Sequence, residues 1–563
     1  MTIDDSTAPA VDAKHGDWVP GQSHPRQGLI LAIMCLCLVL VVAAVSSLNV
    51  AIPTIVRELD PSSTEQLWII DAYALVFAGL LLLCGALGDR FGRRYALMTG
   101  LVIFAGAAMV AAYANDPVQL IAFRAVMGIG AALIMPATLS TLTVVYAPQD
   151  RAKAIATWAG FAGAGGAIGP LASGLLLERF WWGSIFFVVV PIAALALIGI
   201  IAVVPNSADQ ARHRLDFGGA ALSVVALVSI VFAIIEAPEQ GWTAPITLGA
   251  FALGVVTAVV YVLWERRVAH PLLDPRFFLI PRFGLGALTV TASFLAMFGM
   301  FFLFTLYLQF VLNYSPLGAS VRLLPFSAIM VVVAPRSPKF TARFGAANVV
   351  SLGFVIQAAG FVLASRLDVG SSYWMVLASV APMALGMALI MPPTTNAIVT
   401  SLPQDKAGVA SAVNDTTREV GGAVGIALLG TIATIGYHSQ VDQMGAGLPP
   451  QLQEMARDSI GGAVLAASQL PDQAAAGQLL AEARAAFVDA IGPAFLLAAA
   501  VGLVLAAVIA KFYPRGATPP PVGHQQDTDR ADAARADAAR ADAARADAAR
   551  ADAARADTAA EVD

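Results

Sequence analysis

Long apolar stretches alternate with short polar loops along almost the whole chain. The hydrocarbon core of a bilayer is about 30 Å thick, and an α-helix needs about 20 apolar residues to cross it. The pattern therefore predicts fourteen membrane-spanning helices, although Pro325 interrupts the tenth stretch. Their expected positions are 29–52, 67–88, 95–114, 118–143, 153–177, 183–204, 216–236, 246–264, 285–311, 317–335, 347–365, 373–399, 409–436 and 486–511.

The composition supports a membrane protein. The chain is 58% hydrophobic and 13% charged, and a soluble protein of 563 residues needs more charge to cover its surface. The net charge of −5 argues against a nucleic-acid partner. Cys35, Cys37 and Cys84 all lie inside apolar stretches, so neither a disulfide framework nor a metal site is expected. The first stretch has no small-residue cleavage site and is expected to remain as an anchor.

Basic residues concentrate in alternate loops. Cytoplasmic loops of membrane proteins carry an excess of Lys and Arg, so this asymmetry predicts that both termini are cytoplasmic. The loops on the predicted cytoplasmic side contain Arg90, Arg93, Arg94, Arg151, Lys153, Arg212, Arg214, Arg266, Arg267, Arg336, Lys339 and Arg343. The opposite loops contain few basic residues, among them Arg57, Arg179 and Arg366.

Two polar segments lie outside the predicted spans. Residues 437–485 form an Ala-rich outer loop, and the spacing of Leu452, Met455 and Ile460 is compatible with a helical hairpin. From Arg530 onwards the tail repeats Arg-Ala-Asp-Ala-Ala. Five residues advance a helix by about 500°, so the charges would spiral around it. The tail is interpreted as a low-complexity appendage or a partly formed helix.

Three short sequences recur in the same order at a nearly constant offset. GAALIMP at 130–136 returns as GMALIMP at 386–392, PQDRA at 148–152 as PQDKA at 403–407, and GGAIG at 165–169 as GGAVG at 421–425. The repeat relates the fourth and fifth predicted spans to the twelfth and thirteenth. A shift of eight spans is even, so the two halves have the same orientation, as in alternating-access transporters with parallel repeats.

The repeat predicts how the spans are grouped into two bundles of six, with two further spans inserted between them. The expected regions are a cytoplasmic tail at 1–28, a first six-helix bundle at 29–204, an inserted helix pair with its loops at 205–282, a second six-helix bundle at 283–511 and a cytoplasmic tail at 512–563.

The loop after the second span reads GALGDRFGRR at 85–94. Asp89 lies beside the cations Arg90 and Arg93 and near helix ends, where it could hold an ion-pair latch between the bundles. Gly85 and Gly92 allow close helix approach and a tight turn. These five residues are the predicted gating loop.

The fourth and fifth spans carry two further patterns. Arg124 lies inside the membrane, so it needs an acidic partner or a watery cavity, unless it reaches outward to the interface. The fifth span contains Gly165, Gly169 and Gly174 at spacings that permit backbone contact, and Pro170 removes one helix hydrogen bond.

Together these patterns resemble the signature loop, the second motif and the antiporter motif of the major facilitator superfamily. The chain is similar over 29–511 to its fourteen-span drug–proton antiporters (EmrB/QacA-like), especially actinobacterial dye and fluoroquinolone exporters. Further matches are WIIDAY at 68–73, YLQFVLNYSPL at 307–317 and GVASAVNDTTRE at 408–419. One departure is Ala44, because family members usually carry an Asp at that position of the first span.

The resemblance implies an all-α membrane protein with the major facilitator fold, in which 14 transmembrane helices form two six-helix bundles plus an inserted helix pair. It also implies a monomer in the bacterial inner membrane, without a cofactor and driven by the proton gradient. The expected partners are lipid, protons and amphipathic small molecules.

Four charged residues are the predicted proton-coupling groups. Asp71 and Arg124 lie at similar depth, so Arg124 could compete with a proton for the Asp71 carboxylate; an outer-rim Asp71 in water is the alternative. Asp415 and Glu419 are four residues apart and share one helix face beside Arg418. These two acids could instead form a cytoplasmic-end cluster that tunes gating.

Aromatic and amide side chains supply candidates for substrate contact, since aromatic surfaces beside an acid suit flat cationic compounds. Aromatic residues in spans also commonly face lipid or pack helices together. The candidates are Trp68, Tyr73, Phe77, Phe301, Gln309 and Asn414.

The expected function is proton-coupled multidrug efflux of amphipathic, often cationic compounds. A dedicated exporter of one endogenous metabolite or lipid is the nearest alternative, and nutrient symport is a weaker one. A membrane enzyme would need a clustered nucleophile, His pair or metal set, and the six His residues are scattered. The chain contains no Walker-type loop for an ATP-driven pump and no symmetric pore ring for a channel.

Overall fold

A computed structural model describes residues 10–11, 23–59, 61, 63–208, 216–268, 271–402, 406–441 and 448–514. The Arg-Ala-Asp-Ala-Ala repeats and most of the predicted N-terminal tail lie outside the described residues. So do Arg212 and Arg214 of the predicted cytoplasmic loops.

The described residues form a nearly all-helical fold with fourteen helices long and apolar enough to cross a membrane, which confirms the predicted fold class. The helices are α1 (Gln27–Ser46), α2 (Leu48–Leu59), α3 (Ser63–Phe91), α4 (Arg93–Ala111), α5 (Pro117–Val145), α6 (Pro148–Leu177), α7 (Ser184–Phe187), α8 (Val189–Val203), α9 (Phe217–Gln240), α10 (Pro245–Glu265), α11 (Pro281–Leu306), α12 (Pro316–Val333), α13 (Ser337–Phe344), α14 (Ala346–Ala364), α15 (Tyr373–Thr400), α16 (Ala407–His438), α17 (Pro450–Asp458), α18 (Ile460–Ser468) and α19 (Gln473–Phe512).

Short elements complete the chain. Two 3₁₀ turns cover Pro275–Leu279 and Ala334–Arg336, and a π-helical turn covers Tyr307–Val311. Strands β1 (Ala10–Val11) and β2 (Ser207–Ala208) pair in antiparallel fashion, with Val11 opposite Ser207.

The first apolar stretch, predicted as one span over 29–52, is divided at Ser47 into α1 and α2. The hydroxyl of Ser46 donates to the carbonyl of Ala43 at 3.3 Å, and that of Ser47 donates to the carbonyl of Ala44 at 3.4 Å. Such local bonds compete with the main-chain ladder and favour a break. In the tenth span, by contrast, Pro325 lies inside α12 without ending it.

The last span differs from the prediction at its start. The sequence predicts an outer loop over 437–485 and a span over 486–511, whereas α16 extends to His438 and α19 begins at Gln473. Asp472 caps α19 by accepting from the N–H of Ala474 at 2.8 Å, and the Ala-rich sequence that follows has high helix propensity. Hydropathy alone misses this polar first part of the helix. Within the remaining loop, α17 and α18 pack against each other and α18 packs against α19.

The repeat is visible in the packing of equivalent helices. A Cβ atom on Gly130 of α5 would lie 2.8 Å from the carbonyl oxygen of Gly100 in α4. In the same way, a Cβ atom on Gly353 of α14 would lie 2.9 Å from the carbonyl oxygen of Gly386 in α15. Both helix pairs therefore bring their backbones into contact at glycine, as small residues allow in membrane helices.

We call α1–α8 the first half, α11–α19 the second half, and α9 with α10 the inserted pair. The halves meet where α3 packs on α16 and where α6 packs on α12. The eight-span shift of the repeat relates α3 to α12 and α6 to α16. The two contacts are therefore equivalent in the repeat. Helix α9 packs on α3 and α16, whereas α10 is the least buried of the fourteen candidate spans in the described residues.

Candidate functional site

The carboxylate of Asp89 joins the two halves. Asp89 lies in the last turn of α3 and is 6% exposed. Its Oδ1 accepts from the N–H of Gly408 at 2.9 Å, and its Oδ2 accepts from the N–H of Val409 at 3.1 Å. These N–H groups belong to the first turn of α16, where they have no partner within the helix. Asp89 is therefore an N-terminal cap supplied by the opposite half. We call this contact the latch.

Arg93 holds the latch carboxylate in place. Its Nη2 and Nε atoms donate to Oδ1 of Asp89 at 2.8 and 3.2 Å, and the side chain is almost completely buried. Its Nη1 atom donates to the hydroxyl of Ser207 at 3.3 Å, which belongs to β2. The latch is thus connected through Arg93 to the strand pair β1–β2.

Glycine is required where α3 crosses α16. A Cβ atom on Gly85 would lie 2.6 Å from the carbonyl oxygen of Gly408 and 2.7 Å from Cβ of Ala412. A Cβ atom on Gly408 would lie 2.6 Å from Oδ1 of Asp89. Any side chain at either position would therefore push the latch apart.

The remaining residues of the predicted gating loop flank the latch. Gly92 begins α4 with a φ of 109°, a conformation that favours glycine, and faces the side chain of Asn206. The guanidinium of Arg90 lies 5.4 Å from the centre of the Phe91 ring, at the surface of the same loop.

The glycines of the fifth span form close contacts along α6. A Cβ atom on Gly165 would lie 2.9 Å from Cβ of Val42 in α1, and one on Gly169 would overlap the carbonyl of Ala43. The motif thus sets the backbone distance between α6 and α1.

Another face of α6 contacts the second half. A Cβ atom on Gly174 would lie 2.9 Å from the side chain of Leu317 in α12. The hydroxyl of Ser327 in α12 also donates to the carbonyl of Gly163 at 3.0 Å. Pro170 lies inside α6 between these two contacts and has no N–H to donate. Helix α6 therefore lacks one main-chain hydrogen bond in the region where it packs on both halves.

Arg124 is completely buried and donates to main-chain carbonyls. Its Nε, Nη2 and Nη1 atoms bond to the carbonyl oxygens of Ile69 at 3.0 Å, Ile70 at 3.2 Å and Ala44 at 3.4 Å. Its guanidinium also lies 4.7 Å from the ring centre of Tyr73. Arg124 therefore does not reach outward, and the residue that replaces the usual first-span Asp is one of its direct partners.

Asp71 lies on a different side of the first half. Together with Trp68 it lines a small hollow between α3 and α9, whose other walls include Phe232 and Glu236. The rings of Trp68 and Phe232 are 6.0 Å apart. Asp71 remains within electrostatic range of Arg124, but it faces the inserted pair.

A second charged group lies on α16, deeper than the latch. Nη1 of Arg418 lies 3.3 Å from Oδ1 of Asp415, and Nδ2 of Asn414 donates to the same oxygen at 3.3 Å. Asp415 is 1% exposed, and its Oδ2 has no hydrogen-bond partner within the described part of the chain. Glu419 is half-buried one turn further along and within electrostatic range of Arg418.

Arg418 also lies between two aromatic rings. Its guanidinium carbon is 4.7 Å from the ring centre of Phe294 in α11 and 5.3 Å from that of Trp158 in α6. Trp158 is fully buried and donates from Nε1 to the hydroxyl of Thr138 at 3.2 Å. Since α6 belongs to the first half and α11 to the second, Arg418 bridges the halves.

The structure does not bring the predicted substrate residues together. Tyr73 and Phe77 are buried in the first half with ring centres 5.8 Å apart, and Phe301 packs on Phe326 at 5.0 Å. Gln309 lies in the π-helical turn, and Asn414 lies beside Asp415.

Sequence reasoning missed Trp158 and Phe294, and treated Arg418 only as a neighbour of the two acids. One signal was available. The repeat offset of 256 residues pairs Trp158 with Asn414, which is one helical turn from Arg418, so the two side chains are expected within about one turn of each other in depth.

Comparison with known proteins agrees with the fold and the motifs. A family model described as "Major Facilitator Superfamily" matches residues 34–426. The chain is 37% identical to "Multidrug efflux pump LfrA" of Mycolicibacterium smegmatis, over 86% of this chain and 96% of that protein. It is 33% identical to "Tetracenomycin C resistance and export protein" of Streptomyces glaucescens, over 82% and 86% of the two chains. It is 32% identical to "Methyl viologen resistance protein SmvA" of Salmonella typhimurium, over 85% and 97%.

Among solved structures, the human organic anion transporter MFSD10 (TETRAN) superposes with a TM-score of 0.54 at 16% identity, covering 85% of this chain and all of that one. At this identity the similarity shows a common fold alone. The fourteen apolar helices and the bacterial relatives indicate a multi-pass protein of the bacterial plasma membrane. The family match over most of the chain confirms the resemblance drawn from the motifs, and the protein belongs to the Major Facilitator Superfamily.

Proposed function

We propose that the protein is a proton-coupled multidrug efflux transporter, which exports amphipathic, often cationic compounds by alternating access. Relatives covering more than four-fifths of the chain are named for multidrug efflux, antibiotic export and methyl viologen resistance. The observation that carries the proposal is the buried Asp415–Arg418 pair with Glu419, at the contact between the halves. Intramembrane ionisable groups are costly to bury and commonly mark ion and substrate pathways.

The loops around Arg93, Arg151 and Arg343 would face the cytoplasm, with both termini on the same side. With this orientation the latch closes the cytoplasmic end in the present conformation. Opening towards the cytoplasm requires that the first turn of α16 leave Asp89 and that Arg418 leave Trp158.

The net charge of Asp415, Arg418 and Glu419 on α16 is compatible with exchange of a cationic compound for a proton. Two carboxylates share one guanidinium, so the group carries an excess negative charge when both acids are ionised. Burying such an excess is costly, and a proton or a cationic compound would neutralise it. Arg124, with Asp71 in range, is a second coupling candidate in the first half. We further propose that the protein acts as a monomer, without a cofactor and without enzymatic activity.

Ethidium efflux from energised cells tests the function. Cells expressing the protein are expected to expel ethidium faster than vector controls, and a protonophore is expected to abolish the difference. Asp415→Asn and Glu419→Gln are expected to lose this efflux at unchanged expression. Glu482→Gln is the matched control, because Glu482 is an exposed acid on α19 that pairs with Gln478.

Efflux that persists with a protonophore would contradict proton coupling. Absence of ethidium efflux from a well-expressed protein would contradict multidrug export and favour a dedicated exporter of one metabolite or lipid.

A further inference from the structure

The Phe294 and Trp158 rings enclose Arg418 from opposite halves of the molecule. The guanidinium is 4% exposed and lies 4.7 and 5.3 Å from the two ring centres. A cation over an aromatic face is attracted by the ring quadrupole, most strongly when both are removed from water. These rings therefore form an aromatic cage, and in this conformation a side chain of the same protein occupies it.

The cage lies between the two halves, about one third of the way along its two long helices. Ten or eleven residues separate Trp158 and Arg418 from the first residues of α6 and α16, which corresponds to about 15 Å at 1.5 Å per residue. The two helices have 30 and 32 residues and are therefore longer than a hydrocarbon core of about 30 Å. Transporters built from repeats bind their substrates between the two halves, as this cage would.

The two carboxylates beside the cage, when both are ionised, carry more negative charge than the single Arg418 guanidinium neutralises. Asp415 uses only Oδ1 for Arg418 and Asn414, and its Oδ2 points to no hydrogen-bond partner in the described ranges although the side chain is 1% exposed. Glu419 adds a second carboxylate within electrostatic range. A cation in the place of the Arg418 guanidinium would therefore contact two aromatic faces and lie beside two acids.

We propose that this cage is a binding site for a flat organic cation, and that Arg418 is a tethered competitor which occupies it when the cytoplasmic end is closed. This inference rests on the proposed function and names the substrate class and residues of its site. When α16 and α11 move away from α6 together, Arg418 leaves the Trp158 ring, and a cation from the cytoplasm can enter between that ring and the carboxylates of α16. When the latch closes again, Arg418 returns and displaces the cation.

Binding of ethidium to the purified full-length protein, followed by fluorescence anisotropy, tests the cage without requiring transport. Arg418→Gln removes the competitor and is expected to lower the Kd about tenfold, whereas Arg418→Lys keeps a cation and is expected to leave the Kd within about twofold. Trp158→Leu is expected to raise the Kd about tenfold, and the gain from Arg418→Gln is expected to disappear in the double variant.

Two matched variants separate the cage from general effects on folding. Trp158→Phe loses the same hydrogen bond to Thr138 as Trp158→Leu but keeps an aromatic face, so its Kd is expected to stay closer to that of the wild type. Arg322→Gln removes a guanidinium that packs on two other rings, 3.5 Å from the ring centre of Tyr314 and 5.7 Å from that of Tyr373, and it is expected to leave the Kd unchanged.

An Arg418→Gln protein that is monodisperse but binds ethidium no better than the wild type would overturn the competitor role. An unchanged Kd in Trp158→Leu would overturn the cage. Failure of the proposed function has a different signature, because the binding differences would then persist while cells expressing the protein expel no ethidium.

Discussion

At the residue scale, Asp89 and Arg418 each hold the halves together with a charge, but in different ways. Asp89 accepts hydrogen bonds from two N–H groups of α16, and bonds to a charged group are worth about 1.5–3 kcal/mol each. Arg418 contributes a cation–π contact, worth about 2 kcal/mol when desolvated. The latch is therefore stronger than the cation–π contact of Arg418. Loss of the latch is expected to open the cytoplasmic end more than loss of the cation–π contact does.

Asp89→Asn tests the latch. The amide keeps one acceptor but loses the negative charge, and its NH₂ group opposes the N–H groups of α16, so the contact is expected to weaken by about 2 kcal/mol. A cysteine at Ser411, one turn from the latch and fully buried, should then react faster with a membrane-permeant thiol reagent. The labelling is performed with the native cysteines Cys35, Cys37 and Cys84 replaced by alanine.

Asp150→Asn is the matched control for this experiment. Asp150 lies in the first turn of α6, in the same set of loops, and accepts from the hydroxyl of Ser23 at 3.1 Å within the first half. In the Asp150→Asn variant, the Ser411→Cys probe is expected to react at the same rate as in the protein with Asp150 unchanged. Equal labelling of the Asp89 and Asp150 variants would mean that Asp89 does not hold the halves together.

The local pattern of glycine, acid and base in the sequence singled out Asp89 and Gly85, which the structure places at the contact of α3 with α16. It could not reveal that Arg418 meets Trp158, which lies in the other half of the chain. Nor could it show that Asp71 faces α9, since α3 is apolar on all sides and its periodicity does not distinguish one neighbouring helix from another.

At the element scale, α16 is the helix through which the halves communicate. Its first turn meets α3 at Gly408, its third and fourth turns carry Asp415 and Arg418, and its next turns contact α11 at Gly421 and Gly425. A Cβ atom at either of the last two positions would overlap a main-chain carbonyl of α11. Because α16 is fixed to α11 in this way, it is expected to move with the second half as a rigid body.

Gly408→Ala tests the helix crossing. The added Cβ would meet backbone and carboxylate atoms instead of flexible side chains, so a loss of about 1–3 kcal/mol in stability is expected. Thermal unfolding in detergent, followed by tryptophan fluorescence, would show a lower Tm for this variant. Gly106→Ala in α4 is the control, since no atom lies within 4 Å of its added Cβ; its Tm is expected to stay or rise slightly. Identical Tm values for both variants would contradict the close crossing.

Helix number and order followed from hydropathy because a bilayer imposes one length on every span. The start of α19 did not, since the Ala-rich residues 473–485 include Gln473, Gln478, Glu482 and Arg484, which lower the hydropathy of the segment although it continues the helix. Hydropathy therefore predicted the apolar part of α19 and missed its less apolar first three turns.

At the scale of the whole molecule, the repeat makes the two contacts between the halves equivalent in shape but not in charge. Gly92 and Gly345 begin equivalent helices α4 and α14 with positive φ, at an offset of 253 residues. The same offset places Ala342 where the first half has Asp89. The contact of α6 with α12 and α13 therefore lacks the counterpart of the latch carboxylate, and we expect opening to be resisted more strongly on the α3–α16 side.

Removal of residues 2–22 tests whether the N-terminal region supports the latch. Strand β1 pairs with β2, whose Ser207 accepts from Arg93, so the deletion removes one side of the scaffold behind Asp89. Faster labelling of the Ser411→Cys probe is expected, by a smaller factor than in Asp89→Asn. A deletion of residues 517–563 is expected to leave both labelling and ethidium efflux unchanged. If this deletion increased labelling more than the deletion of residues 2–22, support of the latch by the N-terminal region would be contradicted.

The strand pair has a consequence for how the N-terminal region acts. Two residues per strand form a ladder that is too short to be stable between separate molecules. Because both strands belong to one chain, they meet at an effective concentration of about millimolar or more. Covalent connection thus allows a weak contact to be populated, and a soluble peptide with the sequence of residues 1–22 would have to reach a similar concentration to replace the deleted segment.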